Sequence, residues 1–193
     1  MVFIRLSPFP LKRILVLVAA LLGLSAITCF GQPILFPVSS TPYDRQMERI
    51  EPTLNSPPIP TRRRISLTLV NYWIRDLRAI PYGFSSQWKT PAEIALESVA
   101  DCKGKAVALY QRLQANGAKN LRLVIGRRKP TSSLTHTWVE WPTPSATYLL
   151  DPTINRSACS LARIPTNFYV PYYVYTGTQK YRAAIPDSLL AEL

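Results

Sequence analysis

Hydrophobic residues recur at helical spacing in two segments of the chain. The first stripe predicts a helix over residues 65–80, and its members are Leu67, Val70, Ile74 and Leu77. The second predicts a helix over residues 103–116, and its members are Ala106, Val107, Leu109, Tyr110 and Leu113. Between them, Thr90-Pro91-Ala92-Glu93 has the pattern of a capping box with proline at the first helical position, which predicts a short helix ending at about Val99.

Two later segments, 135–141 and 146–151, are instead rich in β-branched, aromatic and aliphatic residues and predict strands. The tetrapeptide 142–145 lies between them and contains two prolines, so it predicts the loop of a hairpin. With a loop of these four residues, the facing pairs would be Trp141 with Ala146, Val139 with Tyr148, and His136 with Asp151.

Two more strands are predicted, one before this hairpin and one after it. Residues 121–126 form an apolar run before it. After Asn155 the chain becomes rich in aromatic residues, which are Phe168, Tyr169, Tyr172, Tyr173 and Tyr175. Pro171 lies within this run and indicates an edge strand or a bulge, because proline cannot donate to a sheet ladder.

The chain begins with a pattern that is typical of export signals. Arg5, Lys12 and Arg13 form a basic region, and residues 14–28 are uncharged, mostly apolar and too few to span a membrane. Residues 1–31 are therefore predicted to be a signal peptide, with an uncleaved N-terminal anchor as the alternative. If the chain is bacterial, either reading places the remainder in the periplasm or on the membrane facing it.

The next segment, 32–64, is rich in proline, serine and threonine and ends in three arginines. This composition predicts a tether rather than packed structure. Residues 65–193 are then predicted to form one domain. Whether the proline-rich segment remains a tether or occupies the cleft of that domain as an inhibitor is left open by the sequence.

The charge of the chain is strongly basic, with a formal net charge of +12. Without the three basic residues of the signal region, 20 basic residues remain against 11 acidic ones. Such an excess favours association with anionic surfaces. No nucleic-acid partner is expected, because no recognition motif accompanies the charge.

The candidate chemistry centres on His136, the one histidine in the sequence. It lies between Cys102 and Asp151 along the chain. A cysteine nucleophile needs a base, and the base needs a third group to orient it. If the chain is a thiol enzyme, His136 must be the base, and Asp151 would hold its imidazole across the predicted hairpin.

Cys102 would lie in the first turn of the second predicted helix, with Asp101 as its N-cap. Unpaired backbone amides and the helix dipole stabilise an anion there. Lys103 and Lys105 add positive charge that outweighs the Asp101 carboxylate, so we expect a thiolate that reacts readily at neutral pH. The alternative is an inert thiol or a disulfide between Cys102 and Cys159.

Several motifs, taken in order, resemble the bacterial transglutaminase-like cysteine proteinases of the transglutaminase-like and papain-like superfamily. They are Trp88-Lys89-Thr90-Pro91-Ala92-Glu93, Asp101-Cys102, Leu121-Arg122-Leu123-Val124, His136-Thr137-Trp138-Val139-Glu140 and Asp151-Pro152-Thr153. The resemblance covers roughly residues 65–155. It implies an α+β fold in which a cysteine at a helix N-terminus packs against an antiparallel sheet, and a catalytic triad of Cys102, His136 and Asp151 that acts on amide bonds.

The resemblance also bears on the residues around the cysteine. In papain-like folds an upstream side chain often completes the oxyanion hole, and Gln87 or Trp88 could do so here. Calcium-dependent members have acidic residues just after the catalytic cysteine, where this sequence has Lys103 and Gly104. A lysine repels a calcium ion, so neither a metal nor another cofactor is expected.

Together these observations predict an exported cysteine protease that cleaves peptide or side-chain amide bonds through an acyl-enzyme. Its partner would be a protein or peptide substrate in the cell envelope. One alternative is a transamidase, in which an amine replaces water as the acyl acceptor. Another is a non-catalytic binding module of the envelope that retains the fold.

Overall fold

The computed structural model describes residues 33–60 and 64–184. The strands in this part of the chain are β1 (Ile34–Pro37), β2 (Arg122–Arg127), β3 (His136–Pro142), β4 (Thr147–Leu150), β5 (Cys159–Ser160), β6 (Val170–Thr176) and β7 (Gln179–Ala184). The α-helices are α1 (Asp44–Met47), α2 (Glu51–Asn55), α3 (Leu67–Ala79), α4 (Pro91–Leu96) and α5 (Cys102–Ala115), and the 3-10 helices are Glu48–Ile50 and Leu161–Arg163. The strands form one antiparallel sheet in the order β1-β7-β6-β2-β3-β4-β5.

Helix α5 is the central helix of the domain. It begins at the predicted position because the Asp101 carboxylate accepts a hydrogen bond from the backbone N–H of Gly104. Its apolar side chains are buried in the same core as Val139 and Leu150 of the sheet. A cysteine at a helix N-terminus therefore packs against an antiparallel sheet, and the predicted α+β fold is confirmed.

The two helices before α5 also follow the sequence pattern. In α3 the buried residues are Val70, Trp73, Ile74 and Leu77, whereas Leu67 at its start is exposed. Helix α4 has the predicted capping box, in which Thr90 and Glu93 bond each other's backbone N–H. It ends at Leu96, three residues before the predicted end.

The hairpin of β3 and β4 exists, but its predicted register is wrong by two residues. Trp141 pairs with Tyr148 rather than Ala146, and Val139 pairs with Leu150. The reason is a tighter turn, closed by the backbone bond from Thr143 N to Ala146 O at 2.9 Å. A displacement of two residues leaves each side chain on its predicted face, because side chains alternate with period two.

The aromatic run near the C-terminus forms β6, which lies inside the sheet between β7 and β2. Of the two alternatives for Pro171, the bulge is confirmed and the edge is wrong. The register between β6 and β2 shifts next to the pair of Gly126 with Pro171. Gly126 is required at this position, because a Cβ there would overlap the backbone of Val170.

The prediction that residues 32–64 form a tether is wrong for the described residues 33–60. Strand β1 pairs along its whole length with β7. The following helices bury Met47, Ile50 and Leu54 in the main core, where Ile50 is 0% exposed. The segment is rich in proline, but it also has a short amphipathic pattern, and its apolar side chains pack into the core of the domain.

The predicted signal peptide or anchor, residues 1–31, lies outside the described residues. Among the residues that the structure describes, no helix has the length and apolar character needed to cross a bilayer.

Candidate active site

Cys102 is the first residue of α5, at the end of the helix where backbone N–H groups have no intrahelical partner. Its side chain is 8% exposed. Lys103 forms an ion pair with Asp101, so two charged groups that flank the thiol partly neutralise each other. Lys105, one turn along the helix, is buried and donates to the carbonyl of Ile80 at 2.5 Å.

His136 and Asp151 are in contact across the ends of β3 and β4. The distance between His136 Nε2 and Asp151 Oδ2 is 2.7 Å. They are diagonal neighbours, because in the observed register Asp151 follows Leu150, the partner of Val139. Diagonal residues share a face and are within reach of long side chains, so the pair predicted from direct opposition also forms in the shifted register.

Asp151 is fully buried, and its charge is stabilised by four hydrogen bonds. Oδ2 accepts from His136 and from the Tyr169 hydroxyl at 2.9 Å. Oδ1 accepts from the backbone N–H groups of Thr153 at 2.9 Å and Ile154 at 3.2 Å. The two backbone bonds fix the carboxylate in the turn that follows β4, so it presents the other oxygen to the imidazole.

Tyr169 was not identified from the sequence as part of the site. Its backbone φ is 51°, a left-handed conformation that non-glycine residues seldom adopt. This conformation accompanies a side chain that bonds Asp151 and packs edge-on against Trp138, with ring centroids 5.3 Å apart. No local pattern signals it, since both contacts depend on the tertiary fold.

The electrostatics of the site favour a charged histidine. Burial lowers the pKa of His136, but hydrogen bonds to Asp151 and Cys102, and the charges of both, raise this pKa from 6.5 to about 9. Burial acts to raise the pKa of Asp151, yet the bond to His136 and its charge hold that pKa below its usual value. Since Nε2 faces Asp151, Nδ1 is the ring nitrogen left for the thiol.

A cavity of about 350 Å³ adjoins the thiol. Its walls come from separate parts of the chain and consist of Tyr43, Gln46, Tyr82, Phe84, Ser85, Ser86, Trp88, Cys102, Lys103, Ile125, Leu134, Thr135 and Thr137. Several apolar side chains at its rim are exposed, including Phe84 at 79% and Leu134 at 78%. The thiol therefore adjoins a cleft that is bordered in part by exposed apolar side chains.

The two oxyanion-hole candidates occupy different environments. Trp88 lines the cavity, is buried, and its indole Nε1 has no hydrogen-bond partner among the described residues. Gln87 does not line this cavity, and its carbonyl accepts from Arg49 Nη1 at 2.9 Å. Gln46, from the segment predicted to be a tether, lines the cavity and was not among the candidates.

Cys102 and Cys159 are both free thiols in the structure. Cys159 lies on β5, where its Sγ is 3.7 Å from the carbonyl oxygen of Ser160. Within residues 33–60 and 64–184, no group of three or more histidine, cysteine, aspartate or glutamate side chains is arranged to hold a metal ion.

The chain is similar to known proteins in its fold alone. No protein-family model matches the chain, and no curated protein matches it. Solved structures of LapG from Legionella pneumophila are similar to it at 18% identity, and one has a TM-score of 0.54 and covers 75% of this chain and 80% of that chain. The calcium-bound LapG structure has a TM-score of 0.53 and covers 69% and 74%. The EGTA-treated structure has a TM-score of 0.53 and covers 73% and 79%. The chain therefore has the fold of the LapG structures.

Proposed function

We propose that the chain is an exported cysteine protease in which Cys102, His136 and Asp151 form the catalytic triad. The observation that carries the proposal is the 2.7 Å contact between the histidine and a fully buried carboxylate, beside a thiol at a helix N-terminus. The three groups come from three places along the chain, which are the start of α5, the start of β3 and the turn that follows β4. A merely structural histidine has no need of such an arrangement.

The reaction would begin from the Cys102 thiolate beside a protonated His136, and the raised pKa of His136, about 9, keeps the imidazole protonated at neutral pH. The Cys102 sulfur attacks the amide carbonyl carbon, and the C–N bond breaks as Nδ1 of His136 gives its proton to the leaving amine. Water then attacks the thioester while the neutral imidazole takes its proton. The C–S bond breaks, the acid is released, and the ion pair is restored.

Trp88 would stabilise the oxyanion formed in each step. Trp88 lines the cavity next to Cys102, and its buried indole N–H has no hydrogen-bond partner among the described residues. The free N–H groups of the first turn of α5 adjoin the same thiol. Gln87 is less suited to this role, because it does not line the cavity and its side chain is held by Arg49.

We infer that the site works without calcium. One LapG structure is described as calcium-bound. In this chain the Asp101 carboxylate next to the thiol is already paired with the ammonium of Lys103, so it is not free to ligate a calcium ion. Activity in the presence of EGTA should equal activity without it.

The first test is the pH dependence of Cys102 alkylation by iodoacetamide, read by peptide mass under non-reducing conditions. We expect labelling well below pH 8, whereas a free thiol with the usual pKa of about 8.5 reacts mainly near that pH. In His136→Ala the labelling of Cys102 should be slowed about tenfold or more. Cys159 in the same molecule is the control, and its labelling should not depend on His136. Equal rates for the two cysteines, or a bridge between them, would contradict the triad.

The second test separates hydrolysis from transfer. Cleavage of a peptide library should yield new N-termini and should stop in Cys102→Ala, whereas a labelled primary amine should not be incorporated. Incorporation of the amine without cleavage would identify a transamidase, and no turnover by a reactive Cys102 would favour a binding module of the cell envelope.

A further inference from the structure

One wall of the cavity is formed by the segment 80–86, which connects α3 to α4. It is paired with the two residues that precede the thiol. Ala100 N donates to the carbonyl of Pro81 at 3.0 Å, and Gly83 N donates to the carbonyl of Ala100 at 3.4 Å. Further along, Ser85 N donates to Asp101 Oδ2 at 3.1 Å. The wall and the N-terminus of α5 are thus aligned by three bonds from backbone amides.

Lys103 closes this arrangement at its outer end. Its ammonium donates to the carbonyl oxygen of Ser85 at 2.9 Å and forms the ion pair with Asp101. The same ammonium lies 5.1 Å from the centroid of the Phe84 ring, within cation–π range. The Lys103 side chain is 16% exposed, so these contacts are largely shielded from solvent.

The aromatic side chains of the wall contribute little to hold it in place. Tyr82 is 59% exposed and Phe84 is 79% exposed, although both line the cavity. A segment with so little buried apolar surface opens easily unless polar contacts restrain it. Ser85 is the residue where those contacts converge, since its N–H bonds Asp101 and its carbonyl bonds Lys103.

We propose that Lys103 is a positioning residue that holds the segment 80–86 against the N-terminus of α5 as the wall of the substrate cleft. The ammonium bridges Asp101 and Ser85, so the cleft wall and the helix that carries the thiol move as one unit. The consequence for catalysis rests on the proposed function. The consequence for the mobility of the segment does not.

The test compares Lys103→Met with Lys103→Arg in the full chain. The control is Lys180→Met, which removes another partly exposed lysine paired with an aspartate, Asp44. Amide hydrogen exchange at Gly83 and Ser85 should be about tenfold faster in Lys103→Met, because a hydrogen bond of a charged group is lost. Exchange should return toward the wild-type rate in Lys103→Arg and stay unchanged in Lys180→Met.

The kinetic readout follows from the same contacts. KM for a cleaved peptide should rise about tenfold in Lys103→Met with a smaller change in kcat, because a mobile wall weakens binding of substrate and transition state alike. Unchanged exchange in Lys103→Met, or an equal increase in Lys180→Met, would overturn the proposal. If the wild-type protein cleaves no peptide and exchange is still faster in Lys103→Met, the result supports the positioning role and counts against the protease function.

Discussion

The raised pKa of His136 is the sharpest physical consequence of the site, and Asp151→Asn tests its cause. The pKa is raised from 6.5 to about 9, which corresponds to about 3 kcal/mol in favour of the imidazolium. Burial opposes this shift, so the partners supply more than the net value. Asparagine can still accept the backbone bonds of Thr153 and Ile154, but it carries no charge to stabilise the imidazolium.

We therefore expect the pKa of His136 to fall to about 7 or below in Asp151→Asn. The assay is an NMR titration of the imidazole Hε1 signal in a protein without a histidine tag. Its assignment is unambiguous because the chain contains one histidine. Cys102→Ser should lower the pKa as well, since the cysteine is the other group that raises it.

The matched control is Asp76→Asn, which removes an exposed carboxylate paired with Arg112. This variant should leave the titration of His136 unchanged. A wild-type pKa near 6.5 would refute the electrostatic argument. An unchanged pKa in Asp151→Asn would show that Asp151 does not hold the histidine.

Four further results are expected. The contribution of protonated His136 to the free energy of unfolding should be fully present below pH 6.5 and lost as the pH rises through about 9, because the pKa of His136 is higher in the folded than in the unfolded state. Urea denaturation at several pH values measures this contribution. Ile50→Ala should lower the free energy of unfolding by about 2–5 kcal/mol, whereas Ile59→Ala, at 57% exposure, should change it little. Trp88→Phe should lower kcat about 10²–10³-fold with KM nearly unchanged, if its indole N–H binds the oxyanion. Tyr169→Phe should cost about 1–3 kcal/mol of stability in the same denaturation assay, because a bond to a buried carboxylate is lost.

Local sequence rules predicted helix α5, which carries Cys102, and the short helix α4 that precedes it. Helix α5 has an apolar pattern, an acidic N-cap and a stop at Asn116-Gly117, where Gly117 has a φ of 88°. Helix α4 has its capping box within four residues. Such features depend on neighbours along the chain, so one sequence is enough to find them.

The register of the hairpin could have been predicted from the residues of its turn. Proline is favoured at the second position of a β-turn, which places Pro144 inside a tight turn between Thr143 and Ala146. The Thr143 hydroxyl reinforces that turn by donating to the carbonyl of Ala146 at 2.7 Å. Pro142 can then end β3 as the partner of Thr147. The four-residue loop predicted above contains both prolines, whereas the observed turn contains only Pro144.

The burial of Glu140 and the role of Tyr169 could not be predicted from local patterns. Glu140 is a charged residue on a strand, yet it is 6% exposed and accepts from the indole of Trp138 at 3.3 Å. Burial raises the pKa of Glu140, and Arg122 partly offsets this effect. The contacts of Glu140 with Arg122 and of Tyr169 with Asp151 join elements that are distant along the chain, and a single sequence does not state which elements become neighbours.

The packing of residues 33–60 changes where the functional domain begins. This segment contributes Ile50 to the main core, and it places Tyr43 and Gln46 in the wall of the cavity beside Cys102. A free inhibitory tether would cover a complete cleft, whereas here the segment forms part of the cleft itself. We infer that the domain starts near residue 33 rather than residue 65. A chain shortened to residue 65 would retain the residues of the proposed triad but lose one side of the surface that would hold the substrate next to them.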